Sequence, residues 1–192
     1  MEDRSLVAKT LLKCYPHLDD LYDSIVRSED ECVEGGFYAI FPNAQMRLYE
    51  RIIAYEKRKA GVCNMKYLIE ESFKRGRGVA LSLLRERYLY KREMEELMQE
   101  FGVSLRTCYR YIKKGLADLA SELEALGFDK KKIIVEYGNE PLFLSMLNRV
   151  IKEDDAETSA RESEKGGINN RPLPLRFYCA SAFSLGGRAQ RG

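Results

Sequence analysis

The stretch EFGVSLRTCYRYIKKGL, residues 100–116, sets Arg106, Arg110, Lys113 and Lys114 in close succession with no acid after Glu100. Gly102 stands where a chain reversing between two helices needs a positive φ, a backbone state that strains any residue with a Cβ. Counted from that glycine, Leu97, Phe101, Val103, Cys108 and Tyr111 occupy the positions at which two helices crossing through a short turn must bring apolar groups together. Ser104 falls at the N-cap of the second helix, its hydroxyl placed to accept from an otherwise unpaired backbone N–H. The outward positions of that helix are then Leu105, Arg106, Tyr109, Arg110 and Lys113, flanked by Thr107 and Lys114. The pattern predicts a helix-turn-helix.

That outward composition suits a helix lying in a DNA groove. Arginine bonds a guanine edge bidentately in the major groove, while lysine, threonine and tyrosine reach phosphates or pack on a thymine methyl. The preceding helix carries Glu93, Glu95, Glu96 and Glu100, so the acids are segregated from the basic face. Segregation matters because the whole chain of 192 residues has a net charge of only +2. A polyanion-binding surface must therefore be local.

The wider segment LLRERYLYKREMEELMQEFGVSLRTCYRYIKKGLADL resembles region 4 of sigma-70-type factors and the sigma-like regulators of bacteria and phages. The shared features are a helix of the "lR.ry" type, an acidic helix, a "GVS" turn and a basic helix closing at Leu116, over about residues 80–123. Met98 stands where that family carries alanine, and Tyr111 where it carries an aliphatic residue. The resemblance implies a sequence-specific regulator of transcription that binds promoter-type double-stranded DNA and contacts RNA polymerase. Residues Ser104, Leu105, Arg106, Thr107, Tyr109, Arg110, Lys113 and Lys114 would form the DNA-binding set. Residues 1–78 lack the features of sigma region 2, so the resemblance points to a regulator that borrows the module rather than to a complete initiation factor.

The rest of the chain reads as mostly α-helical, a bundle with the helix-turn-helix in its C-terminal half. Leu11, Tyr15, Leu18, Tyr22 and Ile25 recur at helical spacing, with Pro16 opening a second helix. SEDECVEGGFYAIFPN, residues 28–43, reads as a loop, and Asn43 as the N-cap of a helix ending at Gly61 on which Met46, Tyr49 and Ile53 form a stripe. Another helix closes at Gly76, and FKRGRG, residues 73–78, reads either as a phosphate clamp or as a solvated hinge. The expected divisions are residues 1–78 for homodimerisation or partner docking, 79–127 for the helix-turn-helix, and 128–152 for a short strand, KKKIIVEYG, and a helix. Residues 153–192 are too polar and breaker-rich to bury much apolar surface and read as a disordered tail.

Several classes are expected to be absent. No run of about 18 apolar residues suggests a membrane span, and the N-terminus lacks a signal-peptide pattern, so a cytoplasmic protein is expected. Five cysteines without a CxxC, and Cys14 beside the single histidine, His17, suit free thiols and a surface imidazole better than a metal site. Nothing resembles a phosphate loop or a nucleophile motif, so no enzyme and no cofactor are expected. The alternative to a DNA reader is a helical protein-interaction adaptor, such as a phage assembly or packaging component.

Overall fold

The computed structural model describes residues 3–36 and 42–166, with side chains described for 4–35 and 43–156. Within these residues the chain is helical throughout and contains no strand. The helices are α1 (Asp3–Cys14), α2 (Leu18–Gly36), α3 (Pro42–Arg75), α4 (Val79–Tyr88), α5 (Met94–Phe101), α6 (Leu105–Ala125), α7 (Lys130–Tyr137) and α8 (Pro141–Gly166). A single 3-10 turn, Tyr15–His17, joins α1 to α2. Pro16 lies inside that turn, so the proline bends the chain and α2 opens two residues later than expected.

The described residues up to Ala156 form one compact unit. Its centre is α1, where Val7, Ala8, Leu11, Leu12 and Cys14 are buried, and α6, α7 and α3 pack around it. Buried Thr10 and Ser72 need no distant partner, because each hydroxyl donates to the carbonyl four residues earlier. Side chains from α1, α2, α3, α4, α6, α7 and α8 meet in this core. The N-terminal helices and the 79–127 segment therefore share one interior.

Four local expectations are corrected. KKKIIVEYG is not a strand but α7: Asp129 caps it by accepting from the Lys132 N–H at 2.8 Å, and Ile133 and Tyr137 fall one turn apart on the buried face. The β-branched run is tolerated because Ile134 and Val135 point outward, where packing does not decide. Residues 28–36 belong to α2, not to a loop. Their acids are a solvated helix face, and Glu29, which is buried, is held by Lys59 at 2.5 Å. Residues 37–41 of the expected loop lie outside the described residues.

Asn43 is not a cap and Gly61 is not a terminus, since one 34-residue helix runs from Pro42 to Arg75. The helix passes through Gly61 because Val62, Met65, Leu68 and Ile69 follow it into the core, and burial on that scale outweighs the roughly 1 kcal/mol propensity cost of an interior glycine. The boundary at 153 also moves: α8 continues to Gly166. Glu153 accepts from Lys13 at 2.5 Å and Asp154 from Lys9 at 3.4 Å, so charge pairing holds these two residues against α1. Residues 167–192 of the expected tail lie outside the described residues.

Candidate nucleic-acid interface

Three short helices build the site. α4 ends at Tyr88, α5 spans Met94–Phe101, and the link to α6 is Gly102, Val103 and Ser104. Gly102 has φ 61 and ψ 36, a left-handed conformation, and its N–H reaches the Met98 carbonyl. That carbonyl also accepts from the Val103 N–H at 3.1 Å, so the last turn of α5 is closed before the chain reverses. Ser104 is extended and accepts from the Thr107 N–H at 3.4 Å, with the two hydroxyls 3.1 Å apart. Both turn positions read from the sequence are occupied as expected.

Behind this link lies a second, smaller apolar group. Leu83, Met94, Leu97 and Cys108 are buried together, with Met98, Phe101, Val103, Tyr111 and Ile112 packed half-buried around them. All five inner positions named from the sequence are in this group, and Met98 packs at its rim. Burial pushes the Cys108 thiol above its ordinary range, as expected for a thiol that serves as packing.

What the sequence reading did not single out is Gly115. A Cβ there would meet the backbone of Ala80, so α4 and α6 touch main chain to main chain. A glycine inside a helical pattern is the signal that could have marked this approach. Beyond Gly115, α6 buries Leu116, Leu119, Ala120 and Leu123 in the main core. The outward half of α6 is thus mounted on a helix whose other half is held in the protein interior.

On that outward half Leu105 is 44% exposed and Tyr109 58%, and Arg106, Arg110, Lys113 and Lys114 are all exposed. Thr107 is half-buried beside Ser104. None of the four cations has an ion pair among the described residues. Arg110 lies over the Tyr111 ring, its guanidinium carbon 5.7 Å from the centroid. Glu93, Glu96 and Glu100, at the cap and along α5, are occupied elsewhere, and Glu95 has no ion pair among the described residues. Arg92 binds Glu96 at 3.4 Å and also Glu100 and Glu86, and Arg87 binds Glu93 at 3.3 Å. Arg87 and Arg92 thereby keep three carboxylates from neutralising α6.

The 73–78 segment is less available. Lys74 and Arg75 have carboxylates within 3.8 and 3.9 Å, Glu71 and Glu122, while Arg77 has no ion pair among the described residues. Cys14 is buried and His17 exposed, so these two do not face a common site. No helix among the described residues is long and apolar enough to cross a membrane. Comparison with protein-family models, curated proteins and solved structures finds no match to this chain.

Proposed function

We propose that residues 79–127 act as a sigma region 4-like helix-turn-helix and that the protein is a sequence-specific, double-stranded DNA-binding regulator of transcription. The observation that carries this reading is the outward half of α6, where four cations stand exposed without an ion pair among the described residues while Glu93, Glu96 and Glu100 at the preceding helix are held by Arg87 and Arg92. An unpaired cationic face retains its full attraction for phosphate, and neutralised phosphates release counterions on binding. Ser104, Thr107, Lys113 and Lys114 position the helix on the backbone. Arg106, Tyr109 and Arg110, with Leu105 against a thymine methyl, read the base edges. In this reading the chain binds rather than catalyses, works in the cytoplasm and contacts RNA polymerase.

Leu105 and Tyr109, apolar and exposed among the cations, favour a second reading in which α6 docks on another protein and the chain is an adaptor of a phage assembly or packaging type. Anisotropy titrations of a labelled duplex at increasing salt separate the two. A DNA reader loses affinity with a log–log slope of roughly −3 to −4 for about four neutralised phosphates. Absence of any duplex binding at low salt, from a pool of random sequences, rejects the DNA reading in favour of the adaptor.

A further inference from the structure

α3 carries two apolar faces. One, with Val62, Met65 and Ile69, belongs to the core. The other runs through Met46, Tyr49, Ile53, Glu56, Ala60, Cys63 and Tyr67, in alternating steps of three and four, and every one of these residues is exposed. Steps of three and four repeating every seven residues are the spacing of a two-helix seam, in which such residues interlock with a second helix. Glu56 is the polar residue within it. On one flank of the seam, one heptad apart, stand Glu50 and Lys57, both exposed and neither with an ion pair among the described residues.

We infer that this face pairs with the same face of a second copy of the chain, the two α3 helices running antiparallel about a two-fold axis between residues 54 and 55. In that register Tyr49 lies against Ala60 of the second copy and Met46 against its Cys63, large against small, Ile53 lies against its Glu56, whose carboxylate is held by Lys59 of its own helix at 2.7 Å, and Glu50 meets Lys57 twice by symmetry. A parallel pair sets Glu56 on Glu56 and Ala60 on Ala60, which adds like-charge repulsion and leaves a gap at the seam. The four large apolar residues of the stripe expose on the order of 500 Å² per copy, a major share of the roughly 800 Å² per partner of a standard interface. The pairing rests on α3 alone and stands whether or not α6 reads DNA.

Sedimentation equilibrium of the full chain tests it. A dimer is expected, with Ile53→Asp weakening it at least tenfold while far-UV circular dichroism stays unchanged and the thermal transition stays unchanged at concentrations low enough that both chains are monomeric, because Ile53 is exposed. Lys57→Glu alone weakens the dimer, and Glu50→Lys combined with Lys57→Glu restores it. In a Cys179→Ser chain, Met46→Cys forms an intermolecular disulfide with native Cys63 on mild oxidation. The two native Cys63 residues, roughly 25 Å apart along the antiparallel seam, do not join. A chain that stays monomeric, a dimer indifferent to Ile53→Asp, or a Cys63–Cys63 cross-link overturns the proposal. So does a monomer that dimerises only after removal of residues 167–192, which would show that the chain's own C-terminal segment covers the stripe.

Discussion

A Cβ placed on Gly115 would lie 2.6 Å from the carbonyl oxygen of Ala80 and 3.2 Å from the Leu84 Cβ. The first neighbour is main chain and cannot rotate away, so α4 and α6 would have to separate. Helix propensity alone makes Gly115→Ala favourable by about 1 kcal/mol, whereas overpacking costs about 1–3 kcal/mol or more. The clash wins, and a net loss of about 1–2 kcal/mol is expected in urea denaturation. A stabilised Gly115→Ala protein would show that the two helices are not in backbone contact.

The turn separates strain from capping. Nothing lies within 4 Å of a Cβ at Gly102, so Gly102→Ala meets open space and is destabilising only through its left-handed backbone, by about 1–2 kcal/mol. Ser104→Ala removes a long cap bond at 3.4 Å together with an exposed hydroxyl–hydroxyl bond to Thr107 at 3.1 Å, and should cost about 0.5–1 kcal/mol, near the lower end of the capping range. Gly102→Asn, which tolerates the left-handed region better, is expected to fall between wild type and Gly102→Ala in chemical denaturation.

Why the turn was legible and other elements were not has a physical basis. A helix reversal depends on local backbone chemistry, and Gly102, Ser104 and the five apolar positions carry it within a few residues. The eight positions proposed to face DNA follow from the same local count, and all fall at the cap or on the first half of α6. The errors occurred where distant partners decide. Residues 28–36 read as a loop because the Lys59 that pairs with Glu29 lies thirty residues away, and Glu153 and Asp154 read as part of a disordered tail because Lys13 and Lys9, which pair with them, lie at the other end of the chain. α7 read as a strand because its β-branched run was visible, while the core that takes only Ile133 and Tyr137 was not.

Tyr137 is buried at 3% exposure, its ring 6.4 Å from that of Phe143, and its hydroxyl has no hydrogen-bond partner among the described residues. An unsatisfied buried hydroxyl costs about 1–3 kcal/mol, whereas a phenyl ring in the same place retains the packing. Tyr137→Phe is therefore expected to raise the melting temperature at neutral pH. A lowered melting temperature would mean that the hydroxyl is satisfied in solution.

Alkaline pH should unfold the protein early. Burial pushes Cys14 from an ordinary 9.0 up to about 12, and Tyr137 from 10.0 up to about 12. Tyr15 is also pushed up to about 12, by burial and then by its hydrogen bond to the Glu70 carboxylate at 2.9 Å. These folded-state values are raised, so the unfolded chain releases its protons first. Stability is complete below about pH 9 and declines as pH rises from 9 through 12. Melting temperatures at pH 8, 10 and 11.5 should fall in that order, and less steeply in Tyr137→Phe. A flat profile across this range would contradict the burial of all three groups.

Arg110 separates reading a base from merely attracting DNA. Its side chain is exposed, lies over the neighbouring Tyr111 ring and has no ion pair among the described residues, so Arg110→Ala should change stability by no more than about 0.5 kcal/mol. If Arg110 contacts a guanine edge, its loss lowers affinity for the preferred duplex by about 1–3 kcal/mol and levels the preference at a single base pair, leaving others intact. Lys113→Ala, acting through phosphate, should instead weaken binding to every duplex alike and lower the magnitude of the salt slope by about 1. Binding to a panel of single-base variants of a selected site, repeated for both proteins, measures the difference. Equal losses on all duplexes for Arg110→Ala would assign it to the backbone and move base reading to Arg106 and Tyr109.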